Sequence, residues 1–312
     1  MKINKVLVTG GAGFIGSHIV DLLIEKNYEV IVVDNLSTGK KTNLNTKAKF
    51  YNADITNADQ IQKIFANEKP DAVCHQAAQI NVRKSIADPV YDAKENIIGT
   101  INILNSCIKT KVKKFVYASS GGARYGEPIK VPCDESHQIV PLSPYGISKH
   151  TAEHYIEYFS KIYGFDYNIV AYGNVYGPRQ DPLGEAGVIS IFLDCVSNKK
   201  ICKIFGDGEQ TRDYVFVLDV AKANLKALKN ETKSKNFNIG TGISTSVNEL
   251  FNKMEIIIGE AKSVNTSPIP GEVKHICLDI SLAAKELGWK PEFDLDNGLK
   301  NTVAWFKNEF KK

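Results

Sequence analysis

The run Lys5-Val6-Leu7-Val8-Thr9, followed at once by Gly10-Gly11-Ala12-Gly13-Phe14-Ile15-Gly16, constrains this chain more than any other stretch. The apolar run has the length and composition of a buried strand. From Ser17 to Lys26 the apolar residues Ile19, Val20, Leu22, Leu23 and Ile24 recur with a helical rhythm, and Glu29 to Val33 is a second apolar run ending on Asp34. Strand, glycine turn, helix, strand and a terminal carboxylate are the parts of a dinucleotide-binding βαβ unit. Gly10 lets the chain turn tightly, Gly13 lets backbone N–H groups approach a pyrophosphate at the helix N-terminus, and Gly16 lets helix and strand pack closely. A carboxylate at Asp34 binds adenosine ribose hydroxyls and repels a 2′-phosphate, which favours NAD over NADP.

The alternation continues along the chain. Lys49 to Ile55 reads as a third strand whose end, Asp54-Ile55, meets an adenine edge; Asp59 to Asn67 reads as a helix. Ala72 to Ala78 is a fourth strand running into a small-residue loop that can pass beneath the cofactor, and Pro89 to Lys109 reads as one long helix containing Asn96. His75 sits inside an apolar strand and reads as a satisfied core histidine rather than a ligand. Phe115 to Ser120 and Asn168 to Tyr172 complete the strand series. The expected fold class is α/β, a doubly wound and mostly parallel sheet covered on both faces.

Ligands of such sheets lie beyond the carboxyl ends of the strands, where Ser119 and Ser120 fall. The stretch Ser143-Pro144-Tyr145-Gly146-Ile147-Ser148-Lys149 follows. A phenol and an ammonium four residues apart share one face of a helix, and Pro144 suits its start. A free tyrosine titrates near ~10, but a neighbouring ammonium and a cationic cofactor ring both favour the phenolate. Tyr145 is thereby a candidate proton acceptor for a substrate hydroxyl, with Ser119 or Ser120 beside it.

Beyond Asn174 the texture changes to a Pro/Gly-rich loop (Val175 to Pro182), a helical segment from Gly187 and a polar turn leading into a strand near Tyr214. The expected division is a dinucleotide-binding part over residues 1–174 and a smaller substrate lobe over 175–312, with later segments returning to the sheet. Arg179 and Arg212 are the natural anion clamps of that lobe. The net charge of +4 is spread along the 312 residues without a basic stripe, which argues against nucleic acid. No apolar run reaches membrane-spanning length, and the six cysteines lack metal-ligand spacing, so no metal is expected. The N-terminus leads straight into a strand without the pattern of a signal peptide, and the expected compartment is a reducing cytoplasm.

Taken together, Thr9 to Gly16, Asp54-Ile55, Ser119-Ser120-Gly121-Gly122-Ala123, Tyr145 to Lys149, Asn174-Val175-Tyr176-Gly177-Pro178-Arg179, Thr211-Arg212-Asp213-Tyr214 and Leu287-Gly288-Trp289 resemble the extended short-chain dehydrogenase/reductase family, specifically its nucleotide-sugar 4-epimerases. The resemblance implies a Rossmann-type sheet, a permanently bound NAD and 4-epimerisation of a UDP-hexose (UDP-glucose or UDP-galactose) through a transient 4-keto sugar. It places cofactor contacts at Gly10, Gly13, Phe14, Ile15, Gly16, Asp34, Asn35, Ser37, Gly39, Asp54, Ile55, Gln76, Ala77, Ala78, Gln79, Asn96, Tyr145 and Lys149. It places substrate contacts at Asn174, Arg179, Gly187, Val188, Arg212, Glu272 and Ile276. It also implies a homodimer formed by the helices carrying Tyr145 and Asn96. Three alternatives stand beside this reading. A dehydratase or decarboxylase carries an acid in the loop after the fifth strand, which Ser120 to Ala123 lacks. An epimerase of UDP-N-acetylhexosamines turns on position 276. A catalytically silent NAD-binding regulator is opposed by the intact Tyr145 and Lys149.

The chain departs from that family's pattern at four places. Gly121 stands where a hydroxyl residue is common. Arg124 replaces a small aliphatic, Ala171 replaces an arginine, and Ile269 replaces an arginine that grips the diphosphate. If the fifth and sixth strands are neighbours, Arg124 supplies from one strand the guanidinium missing on the other.

Overall fold

The computed structural model describes residues 2–182, 187–259, 261–268 and 273–309. Ile269 and the expected nucleotide contact Glu272 lie outside the described residues. Strand and helix alternate from the start: β1 (Lys5–Thr9), α1 (Phe14–Glu25), β2 (Glu29–Asp34), β3 (Lys49–Asn52), α2 (Ala58–Glu68) and β4 (Ala72–His75). There follow α3 (Val82–Ala87), α4 (Pro89–Ala93), α5 (Gly99–Thr110), β5 (Lys114–Ser120), α6 (Gly121–Arg124), α7 (Pro144–Tyr163) and β6 (Asp166–Tyr172). The later chain forms β7 (Asn174–Tyr176), α8 (Val188–Ser197), β8 (Cys202–Phe205), β9 (Thr211–Arg212), β10 (Tyr214–Phe216), α9 (Val217–Lys229) and β11 (Asn236–Ile239). It ends with β12 (Thr245–Ser246), α10 (Val247–Ile258), β13 (Ser263–Thr266) and α11 (Leu295–Glu309).

Seven strands form one parallel sheet in the order β11-β6-β5-β4-β1-β2-β3. The strands are apolar at nearly every position because both faces are covered. Val6, Val8, Val30 and Val116 face one layer, with Ile19 and Leu23 of α1 and Val220 and Ala227 of α9. Leu7, Ile31, Phe115 and Tyr117 face the other, with Phe65 of α2, Leu104 of α5 and Ile156 of α7. Strand order reverses between β4 and β2 on either side of β1, so a crevice opens beyond the carboxyl ends there.

The smaller lobe has its own apolar cluster, with Phe192 of α8, Ile204 of β8, Phe216 of β10, Phe251 of α10 and Phe306 of α11. Between the two, α9 and β11 belong in sequence to the later chain but pack on the large sheet. Trp289 of the Leu287-Gly288-Trp289 motif donates its indole N–H to the Asp219 carbonyl at 2.9 Å, fastening the tail to α9. No described helix is long and apolar enough to cross a membrane.

The helix expected over Pro89 to Lys109 is interrupted. Between α4 and α5 the backbone widens into a π turn at Lys94–Ile98, the kind of bulge that re-aims a side chain. The side chain re-aimed is Asn96, which is buried. Gly99 then lets α5 lie on Ile55, whose Cδ1 would stand 2.6 Å from a Cβ at that position.

Candidate active site

Two adjoining cavities share Gly10, Gly13, Gln76, Ala78 and Ile80 and form one crevice along the carboxyl edge of the sheet. The first is walled by Asp34, Asn35, Ser37, Ala53, Ile55 and Ala77. The second, about 370 Å³, is walled by Phe14, Ile15, Gly16, Ser119, Ser120, Gly122, Tyr145, Lys149, Asn174, Gly187 and Arg212. Most expected cofactor residues thus line a single crevice with the Tyr145–Lys149 pair at its far end.

The glycine turn is dictated by contact. Gly10 has φ +67°, and a Cβ there would stand 2.7 Å from the Ala77 nitrogen. A Cβ on Gly16 would lie 2.1 Å from the Gly10 carbonyl oxygen, whereas one on Gly13 meets only that oxygen, at 3.2 Å. Gly13 is the N-cap of α1 and leaves its face to the crevice. Asp34 is buried, and its carboxylate accepts from the backbone N–H of Ala12 at 3.0 Å and of Leu36 at 2.8 Å. Burial raises its pKa while those bonds oppose the rise. Gly39 does not line the crevice; its missing side chain lets the loop close on the Asp34 oxygens, 2.8 Å from a Cβ. Asp54 holds the next turn, accepting from Thr56 and, at 2.9 Å, from the Asn35 amide.

Asn96 and Gln79 act behind the wall. The Asn96 side chain accepts from the Gln79 N–H at 2.8 Å and donates to the Gln79 carbonyl at 2.9 Å and to Ser148 at 3.0 Å. It therefore pins the loop after β4 to the Tyr145 helix. His75 is the core histidine expected: its two ring nitrogens meet Thr9 and Thr100 hydroxyls at 2.6 and 3.0 Å, and burial, then the Lys149 charge, pulls its pKa down to about 3.

Helix α7 begins at an N-cap, Ser143, whose hydroxyl accepts from Gly146 N–H at 3.2 Å, with Pro144 in the first turn. That fixes the helix so that Tyr145 and Lys149 share the face toward the sheet. Lys149 is 4% exposed; its ammonium makes no hydrogen bond to a described residue and sits 4.3 Å over the Tyr117 ring. Burial pulls its pKa down to about 7, with Glu153 and Asp92 pulling the other way. A buried ammonium beside an open crevice is matched by a ligand rich in hydroxyl or charged oxygen acceptors.

The two serines separate. Ser119 donates its hydroxyl to Glu153 at 2.5 Å, while the Ser120 hydroxyl has no protein partner among the described residues. On the lobe side, Arg212 donates to the carbonyls of Thr211 at 2.9 Å and Lys274 at 3.3 Å, which hold it at the crevice rim. Gly187 lines the crevice and caps α8, which starts at Val188.

Two expectations are corrected. Arg179 does not reach the crevice: its own backbone is left-handed, φ +70°, and its guanidinium pairs with Asp21 of α1 at 2.8 Å. Ile276 is not on the crevice wall but 2% exposed in a small cluster with Tyr125, Cys133 and Leu278. Gln180 was missed; it is buried against Gly187, donates to the Val175 carbonyl at 3.1 Å and lines the crevice. Its place next to Arg179 in a Pro/Gly-rich loop carried no periodic signal. Glu153 was missed as well, though it follows Lys149 by one helical turn. Among the described residues no group of three or more His, Cys, Asp or Glu side chains is gathered for a metal.

A glycine-cradled dinucleotide crevice that ends at a tyrosine–lysine pair beneath a second lobe defines a nicotinamide-dependent enzyme working on a hydroxyl-bearing carbon. Known proteins make the class specific. The chain belongs to the NAD dependent epimerase/dehydratase family, whose profile matches residues 6–240. It is 57% identical over 304 residues to a putative UDP-glucose 4-epimerase of Methanocaldococcus jannaschii, covering 97% of this chain and 98% of that protein. The crystal structure of a UDP-glucose 4-epimerase of Thermotoga maritima with UDP-glucose is 49% identical, with TM-score 0.96 and coverage of 98% of this chain and 99% of that one. A UDP-glucose 4-epimerase of Thermus thermophilus in complex with NAD is 39% identical, with TM-score 0.92 and coverage of 97% and 99%. The residues here fit NAD: the buried Asp34 carboxylate, the open face of Gly13 and the Lys149 ammonium, which has no hydrogen bond to a described residue, lie along one crevice in the order of adenosine ribose, pyrophosphate and nicotinamide end.

Proposed function

We propose that the chain is a UDP-glucose 4-epimerase, interconverting UDP-glucose and UDP-galactose. The observation that carries the reading is that one cleft is lined at once by the glycine turn, by Tyr145 and Lys149, and by Arg212 of the smaller lobe. NAD held by the glycine turn, Asp34 and Lys149 would supply a reversible hydride acceptor for C4 of the sugar, so the reaction would involve no net oxidation. Tyr145 takes the proton of the sugar 4-hydroxyl as C4 is oxidised and gives it back on reduction. Lys149 holds the nicotinamide ribose and, as a cation, favours the phenolate. Ser120, with its hydroxyl unclaimed by any described residue, is the better placed serine to hold the reacting oxygen. Arg212, Asn174 and the Gly187-Val188 region grip the UDP, so the sugar turns over while the nucleotide stays fixed.

The stretch that ends β5 and opens α6, Ser120 to Ala123, carries no acid, which supports a reaction that stops at the keto stage and reverses. The division of labour follows: residues 1–174 hold the cofactor, and 175–312 mainly hold the nucleotide sugar. Exposed apolar side chains on α3, α4 and α7 (Ile86, Val90, Ile147, Tyr158, Ile162) support a homodimer through these packed helices. Six free thiols, five of them buried, support a reducing cytoplasm.

The test is turnover of UDP-galactose, together with identification of the nucleotide released on denaturation. Tyr145→Phe is expected to lower kcat by about 10²-fold or more, the usual weight of a general base. A variant as fast as the parent, or a pure protein that neither contains nor requires a dinucleotide, refutes the reading.

A further inference from the structure

Glu153 lies on the inner face of α7, one turn beyond Lys149 and two beyond Tyr145, and is 4% exposed. One carboxylate oxygen accepts from the Ser119 hydroxyl at 2.5 Å; the other faces His150 Nδ1 at 2.8 Å and Arg124 Nη2 at 3.2 Å. Burial alone would raise the Glu153 pKa, but the His150, Arg124 and Ser119 partners outweigh it and hold the group as a carboxylate. Arg124 is 3% exposed, lies 5.3 Å over the Tyr125 ring, and has two further guanidinium nitrogens, Nε and Nη1, without a hydrogen-bond partner among the described residues. A buried ion pair with unmet donors is a poor stabiliser, because desolvation offsets the attraction. What the pair does secure is position: Glu153 ties α7 to the end of β5 at Ser119 and to α6, whose Gly122 and Ala123 line the cleft.

We propose that Arg124 is a positioning residue for the catalytic pair: its guanidinium fixes the Glu153 carboxylate, which clamps α7 to the end of β5 so that Tyr145 and Lys149 face the cleft at a set distance. The clamp has a second launch point. In the β5–β6 register Ser119 stands opposite Ala171. Residues so paired project from the same face of the sheet, on strands about 5 Å apart. Ser119 faces Glu153, so a guanidinium launched from position 171 reaches the same carboxylate.

The turnover readout rests on the 4-epimerase reading above. Four proteins test the clamp: the parent, Arg124→Val, Ala171→Arg and the double variant. Arg124→Val is expected to lose about tenfold in kcat with KM little changed, and the double variant to recover most of the loss. The pH profile separates positioning from packing. Lys149 is faced by Glu153 and Tyr145 on its own helix, Asp92 of α4, Tyr117 of β5 and neutral His75 of β4. Glu153 favours the ammonium and Arg124 offsets Glu153. Arg124→Val therefore moves the alkaline limb of kcat to higher pH, and Glu153→Gln moves it lower. An Arg124→Val enzyme with parental kcat and limb overturns the proposal, as does a double variant whose effect is the product of the two single ones. If Arg124→Val fails to fold, the double variant decides: folded and active supports the clamp, unfolded or inactive overturns it. A parent without epimerase activity refutes the 4-epimerase reading instead. The same cycle in melting temperature then judges the clamp, additivity counting against it.

Discussion

Two glycines three residues apart should fail in opposite ways when replaced by alanine. At Gly16 the new Cβ would stand 2.1 Å from the Gly10 carbonyl oxygen, 2.8 Å from its carbon and 3.0 Å from Gly11 Cα, all backbone atoms of the turn. Relief requires α1 to lift off β1, and α1 is anchored by buried Ile19, Val20 and Leu23. Overpacking of that kind costs about 1–3 kcal/mol or more, offset by about 1 kcal/mol for removing a helical glycine. At Gly13 the backbone, φ −77° and ψ 179°, suits alanine, and the Cβ meets only one atom, at 3.2 Å, before pointing into the crevice. Its effect on the fold should stay within about 0.5 kcal/mol. Its effect on NAD should be large, because the methyl displaces a pyrophosphate from backbone N–H groups. Each such charged hydrogen bond is worth about 1.5–3 kcal/mol, so losing one weakens binding roughly tenfold to a hundredfold. The assay pairs thermal melting of NAD-stripped protein with the NAD retained after gel filtration. Gly16→Ala is expected to melt several degrees lower, whereas Gly13→Ala melts like the parent and emerges with little NAD. Should Gly13→Ala melt as low as Gly16→Ala, or keep its full complement of NAD, the division of roles is wrong.

Further outcomes follow from the site. Lys149, pulled down to about 7 from 10.5, carries a burial penalty that is full below about pH 7 and disappears as pH rises toward 10.5. NAD-stripped parent should therefore gain stability relative to Lys149→Met between pH 7 and 10, by a few kcal/mol in all, and parallel melting curves across that window would count against it. Arg212→Met should raise KM for the UDP-sugar by roughly tenfold to a hundredfold, as expected for losing a charged hydrogen bond, with a smaller change in kcat; initial rates at varied substrate decide this, and an unchanged KM removes Arg212 from the clamp. Tyr158→Glu, placing a charge on the exposed apolar stripe of α7, should shift sedimentation from dimer toward monomer while leaving the melting of the protomer nearly unchanged. A parental sedimentation profile would refute the proposed homodimer through α7.

What the sequence disclosed was local. Gly10 to Gly16 and Tyr145 to Lys149 were readable because each acts through spacing within one turn or helix, and the sheet was readable because strands buried on both faces are continuously apolar. What it concealed depends on packing between distant segments. β11 enters the sheet beside β6 from more than sixty residues downstream, and its sequence, Asn236-Phe237-Asn238-Ile239, reads as a half-polar strand. The place of Asn238 is explained only in three dimensions, where it accepts from the Tyr125 hydroxyl at 2.8 Å and donates to the Cys133 carbonyl at 3.0 Å. The π turn at Lys94–Ile98 keeps a helical rhythm and so leaves no mark in the pattern. Arg179 looked like an anion clamp because an arginine in a loop has no periodicity to say where it points. A left-handed backbone at that residue, which no neighbouring glycine announces, turns it onto Asp21.

The same contrast explains why Arg124 was readable as an anomaly but not as a part. Its sequence neighbours, Ala123 and Tyr125, say nothing about Glu153, which lies twenty-nine residues on. Only the packing of α7 on β5 and α6 brings the carboxylate, the hydroxyl and the guanidinium into one cluster, and only the pairing of β5 with β6 sets Ala171 beside it, opposite Ser119. A buried charge of this kind can be stranded by one substitution and restored by another on a different strand. Its contribution therefore belongs to the pair rather than to either position, and a scan of single substitutions would assign the whole effect to Arg124 and none to the site opposite Ser119.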